Sequence, residues 1–196
     1  MAASFSGDPK TVWIANPRNN DRKMGLIEEF WFLDRAGERW TAEAGYEIDG
    51  ATIPRALWTL VGSPYTGQYR RASVVHDKAC DEAVGNPARR RAADRMFYEA
   101  CRAGGCSWFE AAVLYAGVRV GGLWAELTPQ LAASAELEGA RISHAPNEQA
   151  IVADYQYMAD QITRLGETDD PATIEQRADA AEAKLREARF AGLMPG

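Results

Sequence analysis

Only two histidines occur in the 196 residues, and one of them, His76, stands directly before Asp77 in the run VVHDKAC. Imidazole and carboxylate together are the groups that general-base hydrolysis uses. The carboxylate fixes the ring's tautomer, and the second ring nitrogen takes a proton from water. On a helix, adjacent residues are rotated by about 100°, whereas residues four apart share a face. Asp77 therefore points away from His76, and Cys80 lies on the same face as the ring. A second run, ADRMFYEAC, carries Asp94 beside Phe97. If the two runs are antiparallel helices, Asp94 occupies the matching edge and accepts the imidazole N–H. His76 is then the candidate base, at the lip of a groove with one nitrogen open to water, and Asp94 is its orienting partner.

Asp77, aimed elsewhere, is an oxygen donor suited to a hard cation, and Ca²⁺ is the ion that fits such ligands. The loops DGATIP and GSPYTG just upstream supply backbone carbonyls, and Asp49 in the first of them is the second candidate metal ligand. Zinc is a poorer match, because one credible histidine with aspartates falls short of the common zinc sets. A packing explanation stands beside the catalytic one. A histidine in an alanine-rich helix is often a hydrogen-bonded core residue, and DGAT is by itself a good turn sequence.

The elements that must hold these groups follow from periodicity. Residues 11 to about 53 read as β structure, with LIEEFWFL and RWTAEAGYEI forming a hairpin across the turn DRAG. From Tyr69 the period becomes helical, with Ala72, Val75, Ala79 and Ala83 on one narrow apolar face. GNP ends that helix and Pro87 opens the next, where Ala93, Phe97 and Ala100 make the facing stripe. Gly104 and Gly105 close the second helix. Ser107 caps a third, in which Phe109, Ala112, Val113, Ala116 and Val120 line up. The expected fold class is α+β: an N-terminal β-hairpin region, a three-helix core and a C-terminal helical hairpin.

That hairpin is read from two heptad-like seams, Ile151, Tyr155, Met158, Ile162, Leu165 and Ile174, Ala178, Ala181, Leu185, Ala188, separated by GETDDP. The expected division is a core domain over residues 1–128, a linker over 129–147 and an arm over 148–196. The arm is expected to pack on its own core or on a neighbouring subunit. His144 falls in the linker and reads as a solvated side chain.

Charge separates the same regions. Residues 1–128 carry 16 Lys and Arg against 16 Asp and Glu, and residues 129–196 carry 6 against 12, so the net charge of −6 lies in the tail. An acidic chain whose largest basic cluster is ARRRAADR is a poor match for nucleic acid. No apolar run reaches the roughly 20 residues of a membrane span. MAASFSGDPK lacks the basic-then-apolar order of a secretory signal, which predicts no signal peptide and a cytoplasmic site of synthesis. Three cysteines without a CxxC pair predict reduced, buried thiols.

Two resemblances add to this reading. DGATIPRALW, GSPYTGQYRRASVVHD, RRRAADRMFYEACRAGG and AVLYAGVRVGG, in that order, resemble the family catalogued as domain of unknown function 1353, over roughly Ile27 to Gly122. The resemblance implies that Asp49, Pro54, Gly62, His76, Asp77 and Asp94 belong to one signature, and that a bacterial or phage setting applies, including a place in a phage particle. Locally, HDKAC with ADRMFYEAC is similar to the helix pair of phospholipases A2. That similarity implies His76 as base, Asp77 as calcium ligand and Asp94 as orienting residue. Cys80 stands where that family has a tyrosine, and its disulfides and glycine-rich calcium loop are absent here.

Three expectations result. The first is a His–Asp hydrolase of an ester or acyl bond, with phospholipid as one substrate and Ca²⁺ on Asp77. The second, suggested by the phage connection, is a cell-wall hydrolase using the same pair with a transition metal. The third is a non-enzymatic phage structural or assembly protein, in which residues 148–196 form a homo-oligomer or bind particle proteins.

Overall fold

The computed structural model describes residues 2–14, 23–48, 53–57, 59, 67–137 and 148–191. Its N-terminal part is β structure, with β1 (Ser4–Phe5), β2 (Thr11–Ile14), β3 (Lys23–Leu26), β4 (Phe30–Leu33), β5 (Arg39–Ala42) and β6 (Glu47–Ile48). These strands form two antiparallel three-stranded sheets, ordered β1-β4-β5 and β2-β3-β6. The expected hairpin is β4–β5, with Phe30 opposite Ala42 and Phe32 opposite Trp40. All four of these side chains face the core, as the period of two requires when one face of a sheet is covered. The turn is closed by one carboxylate. Asp34 Oδ1 accepts from the Glu38 amide at 2.8 Å and Oδ2 accepts from Trp40 Nε1 at 3.0 Å. Gly37 supplies the left-handed residue, with φ of 88°. The second sheet, and the pairing of β1 with β4, go beyond the single hairpin region expected.

Among the described residues a short 3₁₀ turn, Arg55–Leu57, precedes the helices α1 (Arg70–Glu82), α2 (Pro87–Ala103), α3 (Trp108–Leu137), α4 (Glu148–Thr163) and α5 (Pro171–Ala191). Their ends follow local chemistry. The Asn86 side chain accepts from the Arg89 amide and Pro87 opens α2. Ser107 and Glu110 form a reciprocal capping box before α3, at 3.2 and 2.7 Å. Asp170 accepts from the Ala172 and Thr173 amides at the start of α5. The four-residue connection between α1 and α2 folds them into a hairpin, which lies against β4 and β5.

Three sequence expectations are corrected. Phe109 is 58% exposed and does not line the inner face of α3, although Ala112, Ala116 and Val120 do. Leu165 and Ala188 lie outside the arm's buried seam. Helix α3 continues to Leu137, nine residues into the stretch read as linker.

The arm packs on its own chain. Ile151, Tyr155, Met158 and Ile162 of α4, with Ile174, Ala178, Ala181 and Leu185 of α5, join one apolar cluster with the β4–β5 sheet and α1–α3. Among the described residues the C-terminal helical hairpin thus joins the three-helix core in one apolar cluster. No helix among the described residues is long and apolar enough to cross a membrane.

Candidate functional site

His76 lies on the inner face of α1, one turn beyond Ala72 and one before Cys80, and Asp94 lies on the facing side of α2. The helix hairpin brings them into contact: His76 Nε2 donates to Asp94 Oδ1 at 2.8 Å. The ring packs against Phe97, with centroids 4.7 Å apart. Small residues on both helices, Ala72, Ala79, Ala93 and Ala100, allow this approach.

The carboxylate is held from further directions. Arg90, one turn before Asp94 on α2, donates through Nε to the same Oδ1 at 3.1 Å, and Arg119 Nε of α3 lies 4.0 Å from Oδ2. Burial acts to raise the Asp94 carboxyl, but the His76 hydrogen bond and the Arg90 charge outweigh it and hold the group below its ordinary value. Burial lowers the His76 imidazole more than Asp94 raises it. At neutral pH the pair is a neutral ring, protonated on Nε2, beside an ionised carboxylate. Nδ1 then carries the lone pair.

The expected groove geometry is corrected here. His76 is 0% exposed, so its second nitrogen does not open directly to solvent. Its neighbour is Cys80, whose Sγ lies 3.8 Å from Nδ1 and 3.5 Å from Nε2. Burial pushes the Cys80 thiol far up, and Asp94, Asp77 and Asp81 add to this against the opposing Arg90 charge. Cys80 is therefore a thiol and not a thiolate nucleophile.

Asp77 is buried, at 5% exposure, and Asp49 lies outside the described residues. Among those residues the metal-ligating side chains that converge are His76, Cys80 and Asp94, with ligand atoms within 4.8 Å of one another. A nitrogen, a sulfur and a carboxylate already bonded to Arg90 do not fit Ca²⁺, which takes six to eight oxygens.

Two cavities meet at Arg90. One, of about 230 Å³, has Asp94 and Arg119 in its wall, and the other, of about 350 Å³, is bounded by Cys80 and Val84. Pro87, Arg90, Gly122 and Glu126 line both. Solvent thus comes nearest the pair from the side of Cys80 and Arg90.

Sequence reasoning named His76 and Asp94, read Arg90 within the cluster Arg89–Arg91 and Arg95 as a solvated face or a set of ion-pair partners, and missed Arg119. Arg90 carried a signal, since Arg and Asp four apart on a helix are neighbours. Arg119 carried none, because α3 reaches the pair only through the tertiary fold.

Comparison with known proteins gives the following. Residues 24–118 match the family model described as "Protein of unknown function (DUF1353)". The chain is 36% identical over 115 residues to the uncharacterized protein y4jT of Sinorhizobium fredii, covering 57% of this chain and 32% of that protein. It is 35% identical over 105 residues to the uncharacterized protein y4iH of the same organism, covering 53% of this chain and 43% of that one. The chain therefore spans less than half the length of these two relatives. No solved structure matches it.

Proposed function

We propose that this chain, whose residues 24–118 match the DUF1353 family model, is a hydrolase of ester or related acyl bonds with His76 as general base. The observation that carries this reading is the 2.8 Å bond between His76 Nε2 and Asp94 Oδ1. It supports a tautomer in which Nδ1 accepts the proton of an attacking water, while ionised Asp94 stabilises the imidazolium that forms. When the intermediate collapses, the same proton passes from Nδ1 to the leaving oxygen. The lowered affinity of His76 for protons keeps the ring neutral before reaction, as a base must be. Substrate approaches along the cavities at Cys80 and Arg90, and the reaction needs Arg90 to turn aside.

A second reading rests on a different observation, the complete enclosure of His76. In that reading His76–Asp94 is part of a buried charge network that fixes the packing of four helices, and the protein is a structural or assembly component, as in a phage particle.

One experiment separates the two. The full chain is assayed against a panel of fluorogenic acyl esters and phospholipids, alongside His76→Gln, with circular dichroism and thermal unfolding on the same samples. Turnover by wild type and its loss in a folded His76→Gln protein support the hydrolase. Equal turnover in both removes His76 as base. No turnover by wild type on any member of the panel leaves the structural reading in place.

A further inference from the structure

The smaller cavity lies between α2, α3 and α5, and its wall is rich in guanidinium groups. Arg90, Arg91, Arg119 and Arg186 face carboxylates from Asp94, Glu126 and Glu182. Three of the arginines are matched by those acids. Arg90 pairs with Asp94, Arg119 with Glu182, and Arg186 with both Glu126 and Glu182. Arg119 takes a further acid from outside the wall, Asp179 at 2.7 Å. Arg91 makes no ion pair among the described residues and is exposed at the rim. With Asp179 counted, four carboxylates face the four guanidiniums, and the one cation without an ion-pair partner among the described residues is Arg91 at the entrance.

The start of α2 adds to this. Its first turn contains no acidic residue, and Pro87 lines the cavity. The positive end of a helix dipole disfavours cations, yet the sequence places three successive arginines there. Arg89 turns away, to Glu38 and to the face of Trp40, where its guanidinium carbon is 4.0 Å from the ring centroid. Arg90 and Arg91 remain beside the cavity. Arg90 is paired with Asp94 one turn on, whereas Arg91 has no such partner among the described residues, and an anion at the cavity mouth removes its conflict with the helix dipole. Gly122, facing Arg90, carries no side chain to fill the space.

We propose that this cavity is a binding site for a phosphate group, with Arg90, Arg91 and Arg186 as its ligands. Planar guanidinium forks match the several acceptor oxygens of a phosphate. A volume of about 230 Å³ suits a phosphate or phosphate-bearing head group rather than a larger ligand. The inference rests on the cavity and not on the hydrolytic reading.

The test is calorimetric titration of the full chain with inorganic phosphate, with glycerol phosphate, and with vesicles containing phosphatidic acid against vesicles of phosphatidylcholine alone. Wild type is compared with Arg91→Ala and Arg91→Glu, exposed changes that leave the fold intact, and with Arg186→Ala. The expected result is saturable binding of at least one phosphate probe, weakened about tenfold or more in Arg91→Ala and abolished in Arg91→Glu. Binding of the small probes identifies a soluble phosphate, whereas binding confined to phosphatidic acid vesicles identifies a lipid head group. Absence of saturable binding by every probe, or binding unchanged in both Arg91 variants, overturns the proposal. Because no turnover is measured, failure here is separate from failure of the hydrolase reading.

Discussion

His76 Nε2 and Arg90 Nε meet on the same oxygen, Asp94 Oδ1, at 2.8 and 3.1 Å. A neutral donor and a permanent cation thus share one buried acceptor between α1 and α2. Asp94 is the hub of the arrangement. Its loss removes the partner of the ring and of one guanidinium at once.

Asp94→Asn keeps the shape and removes the charge. Arg90 and Arg119 are then left facing a neutral amide in a buried setting, and removing one partner of a buried ion pair costs about 3–5 kcal/mol. Urea unfolding of wild type and variant should show a loss in this range. A change below about 1 kcal/mol would mean that the pair is solvated in solution.

The protonation of His76 predicts an acid-side slope in stability. Its folded value lies below the ordinary 6.5 because burial disfavours the charged ring. Below that ordinary value the unfolded chain binds more protons than the folded one, so stability falls as pH drops from about 6.5 toward the folded value, by up to about 1.4 kcal/mol per pH unit. Asp94, held below its ordinary 3.8, contributes stability that is intact above that pH and is lost as pH falls further. Denaturant midpoints measured across this range should show the first slope in wild type and its absence in His76→Gln.

Cys80 is expected to be chemically quiet despite lying next to a histidine. With its thiol pushed far up by burial, alkylation of Cys80 in the folded chain at pH 8 should be more than about tenfold slower than in the unfolded chain. Mass spectrometry of iodoacetamide-treated protein checks this. Cys80→Ala should retain any hydrolytic turnover, and loss of turnover in a folded variant would make sulfur the nucleophile.

Arg119 ties helix α5 to the pair. Its guanidinium donates to Tyr115 at 3.0 Å, Asp179 at 2.7 Å and Glu182, and its side chain is 1% exposed. Arg119→Met should destabilise by about 3 kcal/mol and raise amide exchange in α5 more than in the β4–β5 hairpin. Adding Glu182→Gln to that variant should recover part of the loss, because the two sites are coupled. Strict additivity would show that the two do not interact.

The sequence carried the contacts set by local rules. The spacing of Ala72, Val75 and Ala79, the Asn86–Pro87 boundary and the stripe through Ala93 and Phe97 define a helix hairpin, and its register puts His76 opposite Asp94. The alternation in β4 and β5 and the Ser107 cap were legible for the same reason. Enclosure of His76 was not legible, since it depends on packing of the α1–α2 pair against elements distant in sequence. The continuation of α3 past Pro129 was hidden by a single strong breaker. A proline inside a helix costs about 3 kcal/mol, but the good helix formers that follow, Leu131, Ala132 and Ala133 among them, carry the helix on. The seams of α4 and α5 were visible as apolar stripes. Spacing alone does not distinguish a stripe that meets another copy from one that meets its own core.

The family match stops at Val118, in the middle of the 30-residue helix α3 and one residue before Arg119. A cut at that point would sever a continuous hydrogen-bonded rod and strip the apolar faces that α4 and α5 cover. The portion recognisable by descent and the portion that shares one apolar core therefore have different borders. Anyone transplanting this fold into a fusion protein, or trimming it for crystallisation, should carry the stretch through α5 as a whole.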